Sequence, residues 1–238
     1  MTFRSVARTH PGAVRERNED AVLERAGVGI WAVSDGMGGH DSGEVASAFV
    51  IDCLIAIAPS GGNPLTMAAV RDALVRSNDE LYRHSSSLAP DRMMGATLAV
   101  LGLDAQHFFC LWAGDSRLYR YRGGRLTQLS RDHSYVQTLI DSGLLDEKEA
   151  ENHPRRSVIT RAFGVGPELV LDQCQGPVEA GDIFLLVTDG VTRVCKDADI
   201  ANILSRSGLD EAAEAIVALC LERGAPDNLS LVLVAAGS

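Results

Sequence analysis

Three aspartates in this 238-residue sequence follow short apolar segments and stand beside a glycine: Asp35, Asp115 and Asp189. Two more acids lie in polar clusters, Asp20 near the start of the chain and Asp227 near its end. If these carboxylates share one partly buried site, their mutual repulsion requires bound protons or a cation. Each Asp-Gly pair taken alone is more simply explained as a turn, in which glycine lets the backbone bend sharply. The spacing alone does not decide between the two interpretations.

The type of cation follows from the available ligands. Carboxylates, carbonyls and water suit Mg²⁺ and Mn²⁺, whereas zinc is disfavoured because the sequence has neither an H-E-x-x-H motif nor a cluster of Cys and His. A cysteine-dependent phosphatase is excluded because no cysteine has an arginine six positions later. The scattered cysteines are Cys53, Cys110, Cys174, Cys195 and Cys220.

Composition narrows the class of protein. The chain is 46% hydrophobic and 23% charged, which is typical of a globular domain with a full core. Its net charge is −10 and it has no run of Lys or Arg, so we expect neither nucleic acid nor an anionic membrane as a partner. We expect neither a signal peptide nor a membrane-spanning segment, and the odd number of scattered cysteines suggests reduced thiols. We therefore expect a cytoplasmic monomer.

The elements that must position these acids are short apolar strands and amphipathic helices. Their order favours an α+β layered domain over a regular βαβ alternation. Gly123-Gly124 predicts a hairpin, because both central residues of a type I′ turn need a positive φ. Strands are predicted at 28–34, 97–103, 108–113, 117–122, 125–129, 183–188 and 230–235, and helices at 42–57, 65–84 and 210–223.

Eight motifs along nearly the whole chain resemble, in order, those of the bacterial metal-dependent phosphatases of the protein phosphatase 2C family. Each motif is weak alone, but chance assembly of all eight in the family's order is implausible. They are Arg15-x-x-Asn18-Glu19-Asp20, Asp35-Gly36-Met37-Gly38-Gly39-His40-x-x-Gly43-Glu44-x-Ala46-Ser47, Gly95-Ala96-Thr97, Gly114-Asp115-Ser116-Arg117-x-Tyr119, Asp132-His133-Ser134, Ile159-Thr160-Arg161-Ala162-x-Gly164, Thr188-Asp189-Gly190 and Asp227-Asn228-x-Ser230.

The resemblance implies a four-layer α-β-β-α sandwich of two antiparallel sheets flanked by helices, forming one catalytic domain over 1–238 with a flap at about 135–156. It also implies hydrolysis of phosphoserine and phosphothreonine in proteins by a water that bridges two Mn²⁺ or Mg²⁺ ions, with a third cation site. The expected partners are phosphoprotein substrates and a cognate bacterial serine/threonine kinase.

The resemblance also assigns metal ligands. Asp35 is expected to bridge the two cations, and the Gly36 carbonyl to bind one of them. Asp189 and Asp227 are expected to complete one site, and Asp20 to serve the centre directly or through water.

Further roles follow by matching position. Asp115 corresponds to the acid that binds a third, weaker cation, and Arg15 to the residue that grips the substrate phosphate. Glu19 is expected to hold a bound water, and Asn228 to support the neighbouring ligands without touching the metal.

The sequence does not identify the general acid that protonates the leaving oxygen. Many eukaryotic members have His directly after the first Asp-Gly, where this chain has Met37. His40 is a candidate general acid, or it only supports the structure of its loop. A metal-bound water is the alternative source of the proton. In the flap, Arg155 and Arg156 fit either a phosphopeptide contact or a solvated loop.

Two other functions remain as alternatives. The centre could act on a small phosphate ester or a nucleotide, or the domain could bind phosphoproteins without catalysis. The second is disfavoured because degenerate relatives usually lack some of the metal acids, and all five aspartates are present here.

Overall fold

The computed structural model describes residues 1–38, 42–57, 65–87 and 94–237. The strands within these ranges are short and most are strongly apolar. They are β1 (Phe3–His10), β2 (Asp20–Arg25), β3 (Ile30–Met37), β4 (Gly95–Ala96), β5 (Leu98–Leu103), β6 (His107–Ala113), β7 (Arg117–Arg122), β8 (Arg125–Gln128), β9 (Asp172–Pro177), β10 (Ile183–Val187) and β11 (Leu229–Ala236).

The helices fall into an early pair and a late group. They are α1 (Ser42–Ile55), α2 (Met67–Ser87), α3 (Tyr135–Asp141), α4 (Glu147–Glu151), α5 (Asp189–Thr192), α6 (Asp197–Leu204) and α7 (Leu209–Glu222). None of these described helices is long and apolar enough to cross a membrane.

The strands form two antiparallel sheets. One sheet has the order β1-β11-β10-β7-β8, and the other has the order β2-β3-β5-β6-β9, with β4 paired to β3. Neighbouring strands in each sheet run antiparallel. Because the two sheets stack on each other, β2 and β3 lie close to β10 and β11. Asp20 and Asp35 stand on β2 and β3, and Asp189 and Asp227 lie just beyond the ends of β10 and β11.

The two sheets pack face to face because their central strands are apolar on both sides. Successive side chains of a strand point to opposite faces. In β10, Phe184 and Leu186 face the other sheet, where Trp31 and Leu101 meet them. Leu185 points outward to the helices instead.

Helices cover the two outer faces. On one side α1 and α2 pack on the second sheet, with Leu54 and Leu74 against Val100. On the other side α6 and α7 pack on the first sheet, with Ile200 and Ile216 beside Leu185. Three apolar clusters thus separate four layers, and the predicted α-β-β-α sandwich is confirmed.

The central meander has nearly the predicted bounds. The strand predicted at 117–122 is β7, and Gly123 and Gly124 have φ values of 56° and 82°, which confirms the hairpin. The strand predicted at 28–34 instead runs from Ile30 to Met37. Asp35 and Gly36 therefore lie within a strand and not in a turn after it.

Four strands were not predicted: β4, which has only two residues, and the longer β1, β2 and β9. Each of the three longer strands mixes apolar with charged or polar residues, and only one or none of its positions is fully buried. Two of the three, β2 and β9, lie at the edges of their sheet, and β1 lies at the edge of the other. An edge strand needs little apolar surface, so it leaves a weak signal in the sequence.

Candidate metal centre

Two of the acids face each other across neighbouring strands. Asp20 begins β2 and pairs in register with Asp35 of β3. Thr188 Oγ1, at the end of β10, donates to Asp20 Oδ2 at 2.8 Å and so joins the two sheets. Within the part of the chain that the structure describes, Asp20 Oδ1 is buried and lacks a hydrogen-bond partner. A buried carboxylate oxygen without a partner is costly unless a proton or a cation meets it.

The first sheet contributes two further acids. Asp189 is the first residue of α5 and stands two residues after the end of β10, and Asp227 stands two residues before β11. Because β10 and β11 are antiparallel neighbours, with Val187 opposite Leu231, the end of one strand lies beside the start of the other. This topology explains why acids 38 positions apart in sequence meet at one place.

Asp115 reaches the same site from the turn after β6. Gly114 has a φ of 110°, a conformation that favours glycine. His133 holds this turn from both sides: its backbone N–H donates to the Gly114 carbonyl at 2.9 Å, and Nδ1 accepts from the Gly114 N–H at 3.2 Å. His133 thus stabilises the turn that carries Asp115, but it does not line the cavity.

The glycines of the other two Asp-Gly pairs serve close packing. Neither Gly36 nor Gly190 is in the left-handed region, so the expectation of a sharp turn was wrong for both. A Cβ on Gly36 would lie 2.0 Å from the Gly43 carbonyl oxygen, and one on Gly190 would lie 1.8 Å from that of Asn228. The backbone can approach this closely only without a side chain.

Burial and mutual repulsion shape the protonation of the acids. Burial raises the pKa of Asp35 well above its ordinary value, and the charges of Asp189, Asp20 and Asp115 raise it further. Burial likewise raises the pKa of Asp20 and of Asp115, each to about 7, with added repulsion from Asp189. The pKa of Asp189 is also raised, chiefly by burial. The site therefore favours protons or cations at neutral pH.

Two arginines lie among these acids. Arg15 makes a two-point contact with Asp227, Nε to Oδ1 at 2.9 Å and Nη2 to Oδ2 at 3.2 Å. Arg193 pairs with Asp189, and its Nη1 donates to Asp227 Oδ2 at 2.9 Å. Arg193 was not predicted as a site residue, although it follows Asp189 by four residues, the spacing of a common ion pair at helical positions.

Asn228 and Glu19 support the centre from one side. Asn228 Oδ1 accepts from the Glu19 N–H at 2.8 Å, and its Nδ2 donates to the carbonyls of Pro11 and Arg17 at 2.9 and 2.7 Å. The Glu19 carbonyl in turn accepts from the Gly36 N–H at 3.0 Å. These bonds connect the segment before β2 to β3 and to β11.

A cavity of about 240 Å³ opens between these groups. Asp20 is not among the residues that line it, and the predicted residue His40 lies outside the described residues. Those described residues that line it are Arg15, Glu19, Asp35, Gly36, Met37, Thr97, Asp115, Ser157, Ile159, Asp189, Arg193, Asp227 and Asn228.

The chemistry of the site fits a hard divalent cation. Its donors are carboxylates and a carbonyl, four of the acids have raised pKa values, and one buried oxygen of Asp20 has no protein partner. In the described ranges no three Asp, Glu, His or Cys side chains already form a ready-made metal-binding group. The carboxylates of Asp189 and Asp227 instead both pair with Arg193.

A model of the protein phosphatase 2C family matches residues 12–233. The chain belongs to the protein phosphatase 2C family. Its curated relatives include the serine/threonine protein phosphatase PstP of Mycobacterium tuberculosis, 37% identical over 98% of this chain and 45% of PstP. The chain thus spans less than half the length of that relative. The serine/threonine phosphatase Stp of Listeria monocytogenes is 32% identical over 95% of this chain and 93% of Stp.

Solved protein phosphatase 2C structures share the fold over nearly full length. PppA, described as a key regulatory component of T6SS in Pseudomonas aeruginosa, has a TM-score of 0.91 and 40% identity, covering 99% of this chain and 98% of PppA. The catalytic domain of PstP in complex with two manganese ions has a TM-score of 0.89 and 32% identity, covering 99% of each chain. The second structure places two Mn²⁺ ions in a relative with this fold.

Proposed function

We propose that this chain is a metal-dependent phosphatase that hydrolyses phosphoserine and phosphothreonine in proteins. The observation that carries the proposal is the meeting of five aspartates from separate elements at one end of the sandwich, where burial and repulsion raise the pKa of four of them. Family membership and the two Mn²⁺ ions of the PstP catalytic domain support it.

The acids divide into two groups as metal ligands. Asp35, the Gly36 carbonyl, Asp189 and Asp227 would hold a pair of Mn²⁺ or Mg²⁺ ions, and Asp20 would serve the centre directly or through water. Asp115, on its own turn, would serve a third. When bound, such ions lower the pKa of water enough to make it a nucleophile and neutralise charge on the phosphoryl group.

Arg15 is the residue we assign to the substrate phosphate. Its side chain is 56% exposed and lines the cavity, so it can reach an incoming ligand. The planar guanidinium matches two phosphate oxygens as well as it now matches the two oxygens of Asp227. Arg15 would therefore orient the phosphoryl group and offset its charge.

The leaving serine or threonine oxygen needs a proton. His40 stays a candidate for this role, and Met37, which lines the cavity, has no proton to give. Glu19, whose pKa is raised by burial, would hold a water beside the ligands.

We propose that 1–238 is one catalytic domain and that the flap at about 135–156 takes part in choosing the substrate. The segment carries α3 and α4, and it leads directly to Ser157 and Ile159, which line the cavity. Arg155 packs over the ring of Tyr135 at 5.3 Å. Arg155 and Arg156 thus offer positive charge near the cavity, where an acidic phosphopeptide would lie.

The remaining proposals concern the setting of the enzyme. A net charge of −10 argues against a nucleic-acid partner, and phosphoproteins with a cognate serine/threonine kinase are the partners we propose. We place the enzyme in the cytoplasm and expect it to act as a monomer.

The test is phosphate release from a phosphothreonine peptide with Mn²⁺, with EDTA, and by Asp189→Asn. The matched control is Asp79→Asn, an exposed aspartate on α2. We expect Mn²⁺-dependent turnover that EDTA and Asp189→Asn abolish and Asp79→Asn leaves unchanged. Full activity of Asp189→Asn would contradict the proposal.

Two further arms separate the alternatives. Strong preference for a nucleotide or another small ester over the phosphopeptide would indicate a metabolite phosphatase. Mn²⁺ or phosphopeptide binding without turnover would indicate a non-catalytic binding module.

A further inference from the structure

Arg193 lies one residue beyond α5 and joins three segments of the chain. It pairs with Asp189 on its own helix, its Nη1 donates to Asp227 Oδ2 at 2.9 Å, and its Nη2 donates to Ser157 Oγ at 3.2 Å. Its side chain is 30% exposed, so the guanidinium is held inside the cavity rather than in bulk water.

Both carboxylate oxygens of Asp227 already accept from arginine. Arg15 reaches Oδ1, and both Arg15 and Arg193 reach Oδ2. At Asp189 the Arg193 guanidinium contacts Oδ2. A cation that uses Asp227 as a ligand therefore meets oxygens that now accept from a guanidinium, and at Asp189 it competes with Arg193 for Oδ2.

The carboxylates around Arg193 stabilise its positive charge. Burial alone would lower its pKa, but attraction to Asp189, Asp227, Asp115 and Asp35 outweighs burial, so the pKa of Arg193 is raised. A single permanent positive charge thus faces four of the five acids of the centre.

We propose that Arg193 is an internal counter-cation, which holds the carboxylates of Asp189 and Asp227 together in the metal-free protein and competes with the divalent cation for them. The inference rests on the proposed metal-dependent function. Metal loading is then an exchange of one cation for another, and Arg193 sets how much free metal the enzyme needs.

The expected effect is large enough to measure. At contact distance, a unit charge facing a divalent ion changes an equilibrium constant by about tenfold or more, even with the dielectric constant of water. Arg15 should matter less for this competition, since its side chain is 56% exposed and contacts only Asp227 among the acids of the centre.

The experiment is a calorimetric Mn²⁺ titration of the unmodified chain, Arg193→Gln, Arg193→Lys and Arg4→Gln. Arg4 is a charge-matched control, because its side chain is 82% exposed and pairs with Asp210, away from the cavity. We expect Arg193→Gln to bind Mn²⁺ about tenfold more tightly or better, and Arg4→Gln to stay within about twofold of the unmodified chain. Arg193→Lys keeps the charge but loses the planar guanidinium that contacts both acids, so its Mn²⁺ affinity should lie between those of the unmodified chain and Arg193→Gln.

Thermal unfolding gives a second measurement that does not depend on activity. Arg193→Gln should lose more stability in EDTA than in saturating Mn²⁺, because only the metal-free protein needs the counter-cation. Arg4→Gln should lose the same amount of thermal stability in EDTA as in saturating Mn²⁺.

The outcomes separate this inference from the function on which it rests. Failure of the unmodified chain to bind Mn²⁺ at millimolar concentration would overturn the proposed metal chemistry. Mn²⁺ binding that is unchanged or weaker in both Arg193 variants would overturn the role of Arg193 and leave the phosphatase proposal standing.

Discussion

The buried acids predict an unusual pH dependence for the metal-free protein. Burial raises the pKa of Asp20 and of Asp115 from the ordinary 3.8 to about 7. Between these values the folded state binds more protons than the unfolded state. Stability should therefore fall as the pH rises from 5 to 7.5 in EDTA.

The size of the effect follows from the same values. A rise from 3.8 to about 7 corresponds to about 4 kcal/mol for one isolated carboxyl. Asp20 and Asp115 do not simply add, because both respond to the charge of Asp189. His133 acts in the opposite direction, because burial lowers its pKa and stability from this group rises with pH. We expect a net loss of a few kcal/mol, or about 5–10 °C in Tm for a chain of this size.

The assay is thermal unfolding by circular dichroism in EDTA at constant ionic strength from pH 5 to 7.5. The matched variant is Asp20→Asn, which removes one buried charge and keeps the shape. At pH 7.5 without metal, Asp20→Asn should be more stable than the unmodified chain, and its Tm should vary less with pH. Added Mn²⁺ should stabilise the unmodified chain most at the upper end of this range, where protons no longer compete. A Tm that is constant or rises from pH 5 to 7.5, with Asp20→Asn less stable, would refute the reasoning.

Three further predictions concern single residues. Gly190→Ala should lower the free energy of unfolding by about 3 kcal/mol or more in a denaturant titration, because its Cβ would lie 1.8 Å from the Asn228 carbonyl oxygen. The control Gly27→Ala, which has open space around its Cβ, should change the free energy of unfolding by less than about 1 kcal/mol. Arg15→Ala should lower kcat/KM for a phosphopeptide by about 100-fold, about 2.7 kcal/mol, without weakening Mn²⁺ binding by calorimetry, and a loss of Mn²⁺ affinity would argue against its assignment to the phosphate. Asp115→Asn should raise the Mn²⁺ concentration needed for half-maximal turnover, and an unchanged requirement would remove Asp115 from the metal ligands.

The sequence predicts the central strands and the candidate ligands well because both depend on local patterns. The apolar runs that end at Asp35, Asp115 and Asp189 are strands buried on both faces, which makes them hard to miss. The order of the acidic motifs carried the resemblance to the family, and the structure gathers those acids at one end of the sandwich.

The remaining features depend on contacts between distant segments. Thr188 meets Asp20 across 168 positions and Arg15 meets Asp227 across 212, and no local pattern encodes such distances. The requirement for glycine at Gly190 comes from the backbone of Asn228, which only the folded chain brings near. Arg193 has one partner four positions away, Asp189, but its second partner, Asp227, lies 34 positions away, so the sequence does not show that it joins the two acids.

The central claim is that acids from separate elements hold paired divalent cations in the cavity. Crystals of the chain soaked in MnCl₂ and measured for Mn anomalous scattering test it most directly. We expect two strong peaks in the cavity that share Asp35 as a ligand, with Asp189 and Asp227 turned from Arg193 toward them. Saturating Mn²⁺ that leaves the cavity without peaks, and both arginine pairs intact, would contradict it.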